Sequence, residues 1–298
     1  MEKSIKFFCI IVISYFFQSC EKEIKITPVQ YDSQLSIECI LYPGKVPQLF
    51  LSSSVPFFNT NTTPSQLFVN GASVTITGSS IDNLVADSIF DSFRCRWVPF
   101  YRGAIPSQIG QTYKLSVTYN GKTYTALTTI NQSKVTITST SYVSSFHDLY
   151  GDHEGVILNF SDIAGVDNYY RYQMSRMIDS SVYGASNLSL IHSECTNGSR
   201  FPVMEFGRSI YFDKGLDGQT MQFVIEPAFK HKQDDTAYVY VESLDKNSAE
   251  FYDNIDKQKL SQLNPFVEPV FLKTKIEGCI GVFGSAVVSD SILFVYPE

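Results

Sequence analysis

The chain has 298 residues, 44% of them hydrophobic, 14% aromatic and only 18% charged, with a formal net charge of −7. So acidic a composition lacks the basic footprint that a phosphate backbone requires, which excludes nucleic acid as a partner. The 18 Tyr and 23 Phe suit pleated, half-buried surfaces, and the length exceeds what one small core usually organises.

Lys3 and Lys6 begin the chain, an apolar run follows from Phe7 to Phe17, and Gln18-Ser19-Cys20 closes it. This order predicts a secretory leader, residues 1–19, ending in a lipobox: the small Ser19 admits the peptidase and the Cys20 thiol accepts the lipid. At about 1.5 Å per helical residue the run reaches roughly 17 Å, well short of the ~30 Å of hydrocarbon in a bilayer. The segment therefore reads as removed rather than spanning. Residues 20–33, with Glu21-Lys22-Glu23, read as a solvated tether between the lipid and the first domain.

Short strand-like runs follow: Leu35 to Tyr42, Pro47 to Ser52, Ala72 to Thr77, Thr112 to Tyr119 and Lys122 to Ile130, all punctuated by turn residues. Asn120-Gly121 predicts a two-residue hairpin in which Tyr119 opposes Lys122, Val117 opposes Tyr124, Leu115 opposes Ala126 and Tyr113 opposes Thr128. Its apolar members share one face, while Lys114, Ser116 and Thr118 share the other. Asn70-Gly71, between Gln66–Val69 and Ala72–Ile76, offers a second hairpin. Together these predict an immunoglobulin-like β-sandwich over residues 34–132.

Residues 133–298 read as a second sandwich, with strands at Val156 to Phe160, Tyr169 to Met177, Phe201 to Phe206, Thr220 to Glu226, Ala237 to Ser243, Pro269 to Lys275 and Ser291 to Tyr296. One helix, near 248–263, interrupts it: Asn247 and Glu250 are spaced as a capping box, Phe251, Ile255 and Leu263 lie near helical spacing, and Asn264-Pro265 ends it. The expected class is thus all-β, two immunoglobulin- or fibronectin-III-like sandwiches with a helix inserted in the second.

With Cys9 in the leader and Cys20 lipidated, Cys39, Cys95, Cys195 and Cys279 remain for disulfides, most simply Cys39–Cys95 and Cys195–Cys279 among three pairings. His147, Asp148, Asp152, His153 and Glu154 form a cluster of metal-capable side chains, of which His147, Asp152 and His153 are the candidates, but the spacing matches no established metal loop and no cofactor is expected. Asp213, Asp217 and Gly218 read as a hairpin turn. Ser243 and Lys246 have the spacing of some acyl-transfer enzymes without the companion motifs. Phe93, Arg94, Arg96, Trp97, Phe100, Tyr101 and Arg102 interleave aromatic and basic groups, a candidate partner-binding patch set against simple core packing. Gly278, Gly281 and Gly284, spaced by three among apolar residues, point to a tight bend or bulge before the last strand.

The lipobox, the hairpin Thr112-Tyr113-Lys114-Leu115 with Lys122-Thr123-Tyr124-Thr125-Ala126, and the tail Asn264-Pro265-Phe266-Val267-Glu268-Pro269 leading to Ile276-Glu277-Gly278-Cys279-Ile280-Gly281-Val282-Phe283-Gly284 resemble the Bacteroidetes lipoprotein family called domain of unknown function 4249. The resemblance spans nearly the entire mature chain. It departs at Cys279, where the family often has Gly. It implies an outer-membrane lipoprotein, commonly encoded beside TonB-dependent transporters, with no established reaction and no catalytic residues to carry over. It also makes Glu21-Lys22-Glu23 look like the charged signals that send such lipoproteins to the cell surface.

The expectation is therefore a non-catalytic, cell-surface outer-membrane lipoprotein, an accessory or ligand-capture partner of a transporter barrel. The alternatives are a secreted hydrolase or metal-binding protein acting on glycans or peptides around His147–Glu154, and a structural cell-envelope protein.

Overall fold

The computed structural model describes residues 31–56, 59, 63–91, 95–148, 151–179, 200–207, 210–227, 231–263, 270–272 and 274–297. The leader, Cys20 and most of the tether lie outside the described residues, as do Phe93, Arg94, His192 and Cys195.

The chain is mainly β. The first half holds β1 (Leu35–Leu41), β2 (Gln48–Ser53), β3 (Ser73–Thr77), β4 (Ile81–Asp91), β5 (Arg96–Arg102), β6 (Thr112–Tyr119) and β7 (Lys122–Thr129), with a single helical turn α1 (Pro64–Leu67) before β3. The second holds β8 (Ile137–Asp148), β9 (Gly151–Ser161), β10 (Tyr169–Asp179), β11 (Arg200–Phe206), β12 (Tyr211–Phe212), β13 (Thr220–Ile225) and β14 (Thr236–Leu244). Helix α2 (Lys246–Leu263), β15 (Ile280–Val288) and β16 (Ile292–Val295) complete it.

Thirteen strands form one sheet, in the order β11-β10-β14-β15-β1-β2-β5-β4-β3-β6-β7 with β12 beside β10 and β16 beside β14. The strands β13-β9-β8 form a second sheet. The β6–β7 hairpin has the register read from its sequence, from Tyr119↔Lys122 to Tyr113↔Thr128. Its turn residues Asn120 and Gly121 both take positive φ, as a two-residue turn matched to strand twist demands. The Asn70-Gly71 hairpin does not form. Thr63 caps α1 through a capping box with Gln66 and Pro64 starts the helix, so Gln66 and Leu67 are helical. Phe68 and Val69 are extended but pair with Ser52 and Leu51 of β2 instead of with β3.

Residues 33–298 form one compact unit, not two domains meeting at 132/133. The reason is β15. It pairs in parallel with β1, from Ser36↔Ile280 to Leu41↔Ser285, so the C-terminal segment enters the sheet built by the N-terminal strands. Ile276, Cys279, Phe283 and Val287 fill the same core as Ile37, Leu41, Leu49, Ile76 and Leu115. The strands from β15 to β7 curl until β7 returns beside β15, where Ser285 Oγ donates to the Thr129 carbonyl at 2.9 Å. A second core lies between the two sheets: Val156, Leu158, Phe160 and Phe223 of the small one meet Tyr170, Met174, Val239 and Phe294 of the large one.

The glycines of the tail belong to β15 and its approach rather than to a bend before the last strand. Gly281 has φ +139°, and a Cβ there would lie 2.7 Å from the Ile37 carbonyl carbon and nearer still to its oxygen. At Gly284 a Cβ would overlap Ser248 Oγ and lie 2.5 Å from Asp245 Oδ2. Bare backbone at these two points lets β1 press on one edge of β15 while α2 seats its first turn over the strand. That turn is capped by Asp245, earlier than the Asn247–Glu250 pair suggests: its Oδ1 accepts from Ser248 N at 2.9 Å. Asp245 Oδ2 also accepts from Ser285 N and from Ser248 Oγ, tying the cap to β15.

Candidate functional site: a groove beside helix α2

The alternation of β1 sends Leu35, Ile37, Cys39 and Leu41 into the core and turns Glu38 and Ile40 to the opposite face of the sheet, the one that carries α2. Between that face and the helix runs a groove of about 790 Å³. Glu38, Ile40, Gln48 and Phe50 come from β1 and β2, Tyr42, Lys45 and Val46 from the turn between them, Arg171 from β10, Phe206 from β11, and Tyr252, Ile255, Asp256 and Lys259 from α2. The volume lies in the range of sites that take small organic ligands.

Its floor is built on a buried ion pair. Arg171 and Glu242 stand directly opposite on β10 and β14. Arg171 Nε donates to Glu242 Oε2 at 2.7 Å, and Nη2 lies 2.6 Å from the same oxygen. The Glu242 side chain is 0% exposed, and its other oxygen accepts from the Tyr42 hydroxyl at 2.5 Å. The guanidinium is sandwiched over the Tyr252 ring at 4.5 Å and the Phe206 ring at 5.0 Å. Burial works against its charge, but Glu242, helped by Tyr252 and Tyr42, offsets this and the guanidinium is held above its ordinary pKa. Tyr252 donates to Glu38 Oε1 at 2.7 Å. Burial, reinforced by the neighbouring carboxylates Glu38 and Glu242, pushes the Tyr252 and Tyr42 hydroxyls well above their usual pKa, so both stay protonated as donors. One edge of the guanidinium is left over: among the described residues Arg171 Nη1 has no hydrogen-bond partner.

The sequence-derived candidates fall elsewhere. The aromatic patch divides on β5: Arg96, Trp97 and Arg102 are exposed, Trp97 at 59%, whereas Phe100 and Tyr101 are buried. The Tyr101 hydroxyl donates to the Val69 carbonyl at 2.9 Å and accepts from Ala72 N, while Phe100 packs on Phe50. Both residues are structural because they lie at the end of β5 that is flanked by β2 and β4, where these two positions are covered on their respective faces. Among the described residues the Trp97 ring meets that of Phe90 edge-on, on a hairpin whose outer part is open to solvent on both sides.

The expected disulfides Cys39–Cys95 and Cys195–Cys279 do not form, since Cys39 and Cys279 are free buried thiols. The parallel pairing places Cys39 opposite Phe283, four residues along from the level of Cys279, which is beyond bridging distance. Cys95 is itself disulfide-bonded, but not to Cys39.

His147, Asp152 and His153 do not converge. His147 Nδ1 lies 3.1 Å from Asp152 Oδ1, with the two side chains 77% and 76% exposed. His153, next along β9, turns to the opposite face and meets Glu226 at 3.1 Å. Asp213 and Asp217 come together with Asp162, their oxygens within 4.8 Å of one another. The loops supply their own donors: Tyr170, Gly218 and Asn168 to Asp162, Asn168 to Asp213, and Gly165 to Asp217. Turn-tying accounts for them. Ser243 is buried and Lys246 exposed, so that pair is not assembled.

None of the groove residues stands out in the sequence reading. The available signal was a charged residue inside each of two strand runs, Arg171 in Tyr169–Met177 and Glu242 in Ala237–Ser243, since a charge buried in a strand is rare unless it is paired.

These features define a mainly β protein of one compact unit with a ligand-sized groove. The chain matches the family model described as Domain of unknown function (DUF4249) over residues 21–292, and it belongs to that family. No curated protein matches it. Among the described residues no helix is long and apolar enough to cross a membrane.

Proposed function

We propose that this chain is a lipid-anchored, non-catalytic accessory of an outer-membrane transporter, exposed at the cell surface, which captures a ligand in the groove beside α2. The observation that carries the reading is the groove itself, apolar along its walls and ending in a buried guanidinium with one unused donor edge. That is the layout of a binding site, in which a few convergent polar groups orient a ligand held mainly by apolar contact. The charged groups of the floor are engaged with one another, Glu242 with Arg171 and Tyr42, and Glu38 with Tyr252, which favours holding over proton transfer. The lipobox at Cys20 supplies the anchor, and the family resemblance supplies the transporter context. A hydrolytic centre around His147 draws less support, because His147 and Asp152 stand in solvent.

The test is a pull-down of the tagged chain from native membranes in mild detergent. The expected result is a single large barrel protein in near-equal amount. Recovery of the chain alone at high yield contradicts the accessory role.

A further inference from the structure

We infer that the groove takes a short peptide with apolar side chains and no net charge; this rests on the reading of the groove as a capture site. Around the groove Arg171, Lys45 and Lys259 face Glu38, Asp256 and Glu242, so the positive and negative groups balance. A fatty acid or other simple anion would bring an uncompensated charge into a site with none to spare.

Polarity narrows the choice further. Ile40, Val46, Phe50 and Ile255 form apolar walls. A saccharide would press several hydroxyls against such walls, each losing water without a partner at a cost of about 1–3 kcal/mol. A peptide divides differently. Its side chains are apolar where the walls are apolar, and its backbone offers one acceptor and one donor per residue.

The floor holds the complement of that pair. Arg171 Nη1 presents two N–H donors without a partner among the described residues, which suit a carbonyl oxygen. Among the described residues Glu38 accepts from Tyr252 through Oε1 only, which leaves Oε2 for a peptide N–H. A single tyrosine ring joins the two: the guanidinium lies 4.5 Å over the Tyr252 ring and the Tyr252 hydroxyl lies 2.7 Å from Glu38. Donor and acceptor are therefore held at opposite ends of one ring, in a frame whose geometry is fixed before a ligand arrives, the guanidinium buried and Glu38 at the open rim.

The experiment equilibrates the full mature lipoprotein, held in lipid nanodiscs, with three probes: a library of acetylated, amidated tetrapeptides, maltotetraose, and dodecanoate. Bound species are identified by mass spectrometry, and the recovered peptides are titrated. Peptides with two or more apolar side chains are expected to be retained. Two variants locate the site. Arg171→Lys keeps the charge and removes the planar donor edge, and Ile255→Asp places a charge on the half-exposed helix wall, where it does not disturb the core. Each is expected to weaken peptide binding at least tenfold with an unchanged circular dichroism spectrum. Retention of maltotetraose or dodecanoate in place of peptides, lost in Ile255→Asp, overturns the peptide assignment and leaves the capture groove standing. Peptide binding unaltered in both variants removes the groove as the site and overturns both readings. Failure to retain any of the three probes overturns the peptide assignment.

Discussion

Replacing Gly281 with Ala tests how the last long strand is joined to the first. Gly281 and Gly110 both take positive φ, +139° and +79°, so alanine at either carries backbone strain of about 1–2 kcal/mol. They differ in what a side chain would meet. At Gly110 nothing among the described residues lies within 4 Å of it, whereas at Gly281 the new methyl group would overlap the backbone of Ile37, which no rotamer change can relieve. The β1–β15 ladder must open locally, and losing two of its hydrogen bonds adds about 2 kcal/mol. Gly281→Ala is therefore expected to cost about 3–4 kcal/mol and Gly110→Ala about 1–2 kcal/mol. At roughly 2 °C per kcal/mol for a unit of this size, the melting temperature should fall by about 6–8 °C against about 2–4 °C. Thermal melts followed by near-ultraviolet circular dichroism read both. Equal shifts for the two variants would refute the close parallel pairing of β1 with β15.

Three further outcomes follow from the same packing. Glu242→Gln leaves the Arg171 charge buried without its counter-ion, so urea denaturation should show a loss of about 3–5 kcal/mol; a loss under 1 kcal/mol contradicts the buried pair. Burial raises both free thiols, Cys279 to about 11 and Cys39 further still. At pH 8 only about a thousandth of Cys279 is then thiolate, so iodoacetamide should label neither residue in the folded chain and both in guanidinium, as mapped by peptide mass spectrometry. Trp97→Ala removes a 59% exposed side chain with one aromatic contact and should lower stability by no more than about 1 kcal/mol while reducing recovery of the membrane partner. A large drop in melting temperature would assign Trp97 to the core instead.

What the sequence made legible was local. The β6–β7 register followed from Asn120-Gly121 and the period-two alternation around it, because a two-residue turn fixes every opposing pair. The β10 and β14 strands were readable from their apolar runs, although their strand partners were not. β15 escaped because Gly281 and Gly284, needed for close approach of β1 and α2, weaken the pattern of an ordinary strand. Its parallel pairing with β1 joins residues some 240 positions apart and leaves no turn to mark it. The single-unit organisation follows from that pairing and was hidden with it. β4 and β5 were obscured by their mixed aromatic and charged composition, which looks like a surface patch although Phe100 and Tyr101 are interior. The groove was illegible for a related reason. Its residues come from β1, β2, β10, β11 and α2, and each looks like an ordinary strand or helix position until the sheet order brings them together.

Capture at a membrane requires the chain to be fastened there, and that rests on Cys20. Intact-peptide mass spectrometry of the native protein's N-terminus reads it directly. The predicted result is a first residue Cys20 carrying a thioether-linked diacylglycerol. An unmodified Cys20, or a peptide that still contains the leader, contradicts the account.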